Sequence, residues 1–147
     1  MKKILLITAL CVSSVMVFAQ KDSYRKYPPS SVQRSWQRDY PDYYNMNNNR
    51  WEWRDNRWHT TYQDRNHSNR NVDVYYDRYG HRLYAQSEWD RNDLPDRVRE
   101  HIRSRYRTDN YSAYRLERPG GRIYFQITLG GGRTVYLDER GRETRYR

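Results

Sequence analysis

The 147-residue chain is poor in the residues that usually build or staple a small domain: one cysteine, two phenylalanines, three methionines and an apolar share of only 35%. A lone thiol cannot close an internal disulfide, and Cys11 sits in the one long apolar run of the chain, Ile4 to Val17. That run follows Lys2 and Lys3 and ends in Val17-Phe18-Ala19 before Gln20, the charge, apolar core and small-residue pattern of a cleavable secretory signal. About 14 apolar residues fall short of the roughly 20 that a membrane-crossing helix needs, so cleavage after Ala19 is favoured over an uncleaved anchor. Leu10 is also larger than the small residue that lipoprotein processing prefers before a cysteine. Residues 1–19 therefore read as signal peptide, and the exported chain contains no thiol. Disulfides, cysteine catalysis and thiolate metal sites are excluded with it, and no other apolar run approaches membrane-spanning length.

Loss of Lys2 and Lys3 takes the formal charge from +10 to +8, most of it carried by arginine. A low apolar fraction with high net charge ordinarily indicates disorder. Aromatic residues reverse that expectation here: with 16 tyrosines and five tryptophans, large rings that favour strands can build a core that aliphatic counts underestimate. The arginines either keep a folded protein soluble or, beside so many rings, equip it to bind a partner.

The second half shows the clearest periodicity. DLPDRVREHIRSRY spaces Leu94, Val98, Ile102 and Tyr106 four apart, predicting an amphipathic helix with Asp93 as its N-cap and Pro95 in its first turn. RIYFQITL alternates with period two, Ile123, Phe125, Ile127 and Leu129 pointing one way and Arg122, Tyr124, Gln126 and Thr128 the other. Glycine-rich turns flank it, making YSAYRLE, RIYFQITL and RTVYLD successive antiparallel strands. A last turn at Gly141 leads to a short terminal strand, Arg142 to Tyr146.

The two halves repeat. VDVYYDRYG (72–80) aligns with RTVYLDERG (133–141), pairing Val74 with Val135, Tyr75 with Tyr136, Asp77 with Asp138 and Gly80 with Gly141. Upstream, Val32, Trp36 and Tyr40 come after Pro29 at four-residue spacing, as Val98 and Ile102 come after Pro95. RWEWR, NRWHTTY and a hairpin from Val72 to about Gln86 complete the first half, separated by the polar loops YNMNNN and QDRNHSNRN. The chain thus divides into signal peptide (1–19), linker (20–28), first unit (29–88) and second unit (89–147). The expected fold is α+β, two tandem α-ββββ units forming one curved antiparallel sheet with helices packed on one face.

Pro-x-x-Val opening each helix and Tyr-x-Asp-x-x-Gly closing each sheet give an order that resembles the secreted PepSY-like family, whose fold is compared with the beta-lactamase inhibitory protein. The resemblance spans about Pro28 to Tyr146. It rests on Pro29, Val32, Trp36, Tyr40, Pro41 and Trp51 in the first unit, and on Leu94, Pro95, Val98, Ile102, Tyr106, Tyr124, Phe125, Leu137, Asp138 and Gly141 in the second. It implies a concave sheet backed by helices and a non-enzymatic, inhibitory or protein-binding role. The chain departs from the family in its abundance of Arg and Asn and in the long polar loops of its first unit.

If the apolar strand faces pack on the helices, alternation places Tyr75, Arg82, Tyr84, Arg122, Tyr124, Thr134 and Tyr136 on the opposite face. Tyr and Arg are the residue types of interface hot spots; the competing reading is cross-strand packing on a solvated sheet. Trp51 and Trp53 share one strand face and Trp58, Thr60 and Tyr62 another, and the three tryptophans are assigned to the core in preference to a ligand platform. No catalytic constellation emerges. His59 and His67 flank Asp64 from a strand and a loop without a third ligand, His81 and His101 read as surface residues, and Asp90, Asp93 and Asp96 suit a helix start. Gly130-Gly131-Gly132 lacks the helix a phosphate loop requires. No cofactor and no metal are expected. The leading function is an exported module binding another envelope or secreted protein through the sheet. A polyanion or cell-wall glycan binder and a structural or stress-related envelope protein are the alternatives, and export disfavours nucleic acid.

Overall fold

The computed structural model describes residues 27–44, 49–67 and 69–145. The residues read as signal peptide, with Cys11, most of those read as linker, the middle of YNMNNN and Tyr146 lie outside the described residues. Within them, two helices of about three turns, α1 (Ser30–Asp39) and α3 (Asp96–Tyr106), accompany seven strands, with a single-turn helix α2 (Pro41–Tyr44) after the first. The strands are β1 (Glu52–Arg54), β2 (Arg57–Asp64), β3 (Arg70–Tyr76), β4 (Arg82–Trp89), β5 (Tyr111–Arg118), β6 (Arg122–Leu129) and β7 (Thr134–Asp138). They form one sheet in sequential order, each antiparallel to its neighbours. The α+β class and the single antiparallel sheet are as the sequence predicts.

Both helices start from a proline. Pro29 and Pro95 occupy the N-cap positions in extended conformation, their carbonyls accepting from Gln33 N–H and from the N–H groups of Val98 and Arg99. A proline at this point forfeits no donor the helix needs. The expected N-cap Asp93 is instead part of a short 3-10 turn, Arg91–Asp93, and its carboxylate pairs with Arg70. The reason is Pro95: it holds the preceding Leu94 extended, so the helix cannot begin before it.

Two clusters make up the core. In the first, Val32, Trp36 and Tyr40 meet Trp58, Val72, Val74, Tyr76 and Ala85, with Trp51, Trp53 and Tyr62 packed alongside. In the second, Leu94, Val98 and Ile102 meet Ala113, Phe125, Ile127, Val135 and Leu137. One is largely aromatic and the other aliphatic, yet both do the same job, each large side chain contributing about 1.5–3 kcal/mol on burial. Of the tryptophans assigned to the core, Trp58 is 1% exposed and fully inside, whereas Trp51 and Trp53 are half-buried at the edge of the first cluster.

The repeat is visible atom by atom in the two Asp-x-x-Gly turns. Asp77 Oδ1 accepts from the N–H groups of Tyr79 and His81, and Asp138 Oδ1 from those of Arg140 and Arg142. Gly80 and Gly141 donate to the Asp77 and Asp138 carbonyls. Among the described residues the second turn launches no full eighth strand. Beyond it the chain makes a single bridge, Leu137 to Glu143, and one bond from Thr144 N–H to the Tyr136 carbonyl. Arg142 is spent on Asp138, and the polar ERGRETR run offers no apolar alternation with which to extend the sheet.

Candidate functional site

Directly opposed residues of paired strands lie on the same face of a sheet, so register sorts every side chain. Phe125 opposes Leu137 and Ile127 opposes Val135 on the helix-covered face; the residues between them face the other way. That open face carries His59, Tyr75 and Tyr84 from the first unit and Tyr114, Leu116, Arg122, Tyr124, Thr134 and Tyr136 from the second.

On its first half three rings stand in a row. His59 stacks on Tyr75 at 4.8 Å between centroids, and Tyr75 on Tyr84 at 4.6 Å, with interplanar angles of 25° and 28°. The Tyr84 hydroxyl accepts from Arg57 Nη1 at 3.0 Å, and the Arg57 guanidinium lies 5.9 Å from the Tyr75 ring centroid. At the other end of the row His59 Nε2 and the Thr61 hydroxyl both meet Asp73 Oδ1, at 3.1 and 2.7 Å. The bond from His59 holds the Asp73 carboxyl below its ordinary range, against the opposing effect of burial and with Thr61 assisting. Burial, with Asp73 and Tyr84 nearby, pushes the Tyr75 phenol up to about 12, so it remains a neutral donor and acceptor.

Gln86 ties this row to the second half. Its Nε2 donates to the Tyr75 hydroxyl at 3.3 Å, while its strand position opposes Leu116, which opposes Tyr124. Tyr114, Gln126 and Tyr136 form the next row. Leu116 is only 2% exposed although no helix among the described residues covers this face. Its burial comes from neighbours on the open face, where Gln86 and Tyr124 oppose it.

Arg82 departs from the expected set. Tyr75 opposes Tyr84 but the next residue, Tyr76, opposes Arg82, leaving Leu83 as an extra residue in β4. Such a bulge reverses the alternation beyond it. Arg82 therefore reaches the helix side, where Nη1 donates to the Tyr40 hydroxyl at 2.8 Å and meets Glu117 Oε1 at 3.4 Å, its side chain 15% exposed. Glu117 also accepts from Arg115, and the guanidinium groups of Arg115 and Arg70 approach the Trp89 ring at 5.9 and 4.7 Å. These groups border a cavity of about 320 Å³ on the helix side, where the two core clusters meet.

His59, Tyr114 and Leu116 belong to the open face without being among the residues expected there. His59 was legible, being one residue out of phase with buried Trp58 and Thr60. Tyr114 was not, because in YSAYRLER the buried Ala113 and Leu116 are three apart and belong to opposite faces.

The histidines are engaged in separate pairs: His59 with Asp73, His67 with Asp64, His81 with Asp77 and His101 with Glu143. Thr61, His59 and Asp73 superficially suggest a nucleophile triad. Both Thr61 and Asp73 approach the same ring nitrogen, Nε2, at 3.5 and 3.1 Å. A relay needs them on opposite nitrogens. Among the described residues no group of three or more histidine, cysteine, aspartate or glutamate side chains is placed to hold a metal, and no helix is long and apolar enough to cross a membrane.

No protein-family model and no curated protein matches the chain. Solved structures do. A BLIP-like protein from Bacteroides fragilis aligns over 81% of this chain and 84% of its own with a TM-score of 0.66 at 22% identity. A DUF2874 family protein from Bacteroides ovatus aligns over 81% and 86% with a TM-score of 0.67 at 16% identity. A candidate periplasmic protein from Bacteroides eggerthii aligns over 81% and 87%, with a TM-score of 0.64 at 14% identity. The chain shares their fold: one antiparallel sheet with helices on one side, of the BLIP-like kind.

Proposed function

We propose that this chain is an exported, non-enzymatic binding module that holds another envelope or secreted protein against the open face of its sheet, as an inhibitor or partner of that protein. The observation that carries the reading is the ordered aromatic surface. The stacked rings of His59, Tyr75 and Tyr84, bonded at both ends through Asp73 and Arg57, have already lost the rotamer freedom that binding would otherwise cost, an ordering term of about 0.5–1.5 kcal/mol per side chain. Tyrosines held on strands also offer large contact area with a hydrogen-bonding tip.

Three further features support it. The fold is shared with a BLIP-like protein. The tandem Pro-x-x-Val and Tyr-x-Asp-x-x-Gly order fits the PepSY-like resemblance, and the N-terminal pattern of residues 1–19 fits export, as does the likeness to a candidate periplasmic protein. The open face is mixed in charge, Glu52, Asp73, Glu88 and Asp138 lying among Arg54, Arg57, Arg118 and Arg122, a balance that suits a protein surface better than a polyanion. Affinity capture from the native envelope tests the proposal, comparing the wild-type chain with a Tyr75→Ala, Tyr124→Ala, Tyr136→Ala variant whose fold is checked by circular dichroism. A partner retained by the wild type and lost by the variant is expected; equal retention by both would remove the open face from the account.

A further inference from the structure

On the helix side of the second unit, away from the open face, a second cavity of about 230 Å³ collects cations. Its guanidinium groups come from two segments: Arg91 from the 3-10 turn before α3, Arg99 and Arg103 from α3 itself. Arg99 and Arg103 are four apart and so lie side by side on the helix, an arrangement that repels rather than stabilises. Of the three, Arg99 already donates from Nη2 to the Asp96 carboxylate one turn earlier, outside the cavity lining, which leaves its remaining donors for a ligand. The Arg91 guanidinium stands 5.1 Å from the centroid of the Tyr111 ring, which forms a wall, and buried Ile102 lies at the floor. Asn92 and Thr108 add an amide and a hydroxyl; Asp109 is the one acid in the lining.

The convergence has an electrostatic signature. Burial raises the Tyr111 phenol above its ordinary range, and Arg91, Arg99 and Arg103 each pull it back down while Asp109 adds to the rise. Three guanidinium groups thus act on one point beside an aromatic wall. Three planar forks of donors around a small concave site are complementary to a tetrahedral oxyanion, which can take several charge-assisted bonds at once. The tyrosine wall and the apolar floor suit an organic body attached to it.

We infer that Arg91, Arg99 and Arg103, with Asn92 and Thr108, form a binding site for a phosphate or sulfate group, separate from the protein-binding face and independent of it. Bound oxyanion relieves the repulsion along α3, and Asp109 limits affinity by facing the same space. The group can be a free ion or a monoester borne on a larger molecule; the Tyr111 wall distinguishes them, since only an ester can place carbon against it.

The test is calorimetric and NMR titration of the full-length exported chain with inorganic phosphate, inorganic sulfate and glycerol 1-phosphate, in wild type and three variants. Saturable binding is expected, with amide shifts centred on residues 91–92, 99–103 and 108–111. Arg91→Gln with Arg103→Gln should weaken it by about tenfold or more, and Asp109→Asn should strengthen it. Arg140→Gln, which removes a single charge at the exposed turn before Gly141, should leave it unchanged. Tighter binding of glycerol 1-phosphate than of phosphate would identify a monoester as the ligand, and equal binding a free ion. Absence of saturable binding, or equal weakening by Arg140→Gln and by the double variant, would overturn the site.

Discussion

A β-carbon placed on Gly80 would stand 2.7 Å from the carbonyl oxygen of Ser31, in the first turn of α1. The equivalent Gly141 makes the same approach to Arg97, in the first turn of α3. In each unit, then, the Asp-x-x-Gly turn is pressed onto the start of the helix, one residue before the valine that enters the core. Both glycines also have positive φ, +95° and +74°.

Gly80→Ala and Gly141→Ala are accordingly predicted to cost about 2–4 kcal/mol each, the sum of left-handed backbone strain and backbone overlap. Gly131→Ala, where a β-carbon meets nothing within 4 Å and φ is not positive, should stay within about 0.5 kcal/mol of wild type. Urea denaturation of the three variants measures both. A Gly80→Ala protein as stable as the Gly131→Ala protein would refute the contact.

Arg82 sits on the helix side and should behave as a structural residue. Arg82→Ala leaves the Tyr40 hydroxyl without its donor and Glu117 with Arg115 alone, so a loss of about 1–3 kcal/mol is expected. Capture of a partner should be unchanged once folding is verified. Loss of capture at full stability would return Arg82 to the binding surface.

Acid should loosen the fold in a defined range. The His59 bond holds Asp73 low; at Asp77 and Asp138 burial acts upward but is outweighed by bonds from His81 and Tyr79 and from Arg142 and Arg140. A carboxylate whose folded pKa lies below its unfolded 3.8 contributes stability above that pH and loses it as pH falls through the folded value. Melting temperature should therefore hold steady from neutral pH to about 4 and fall below it. Asp77→Asn with Asp138→Asn should flatten that fall and lower the neutral-pH melting temperature; an unchanged acid slope would contradict the assignment.

Much of this architecture was legible because its signals are periodic. Ile123 to Leu129 fixed both a strand and its faces, and the recurrence of Asp77 with Gly80 at Asp138 with Gly141 announced the tandem plan. The failures share a cause, in that a local event interrupted a period. The extra residue Leu83 reversed Arg82, Pro95 displaced the helix start from Asp93, and Leu116 turned an apolar side chain outward where alternation could not assign it. The Arg91, Arg99 and Arg103 cluster was hidden differently, since Arg91 is brought to α3 by the 3-10 turn and no sequence period links the two.

The central claim, that the open face holds a protein partner, is tested most directly by site-specific photocrosslinking in the native envelope. A benzophenone residue would replace either Gln126, in the middle of the open face, or Gln37, exposed on α1. A discrete adduct from position 126 and none from position 37 is predicted. Adducts from both positions alike, or from position 37 alone, would contradict it.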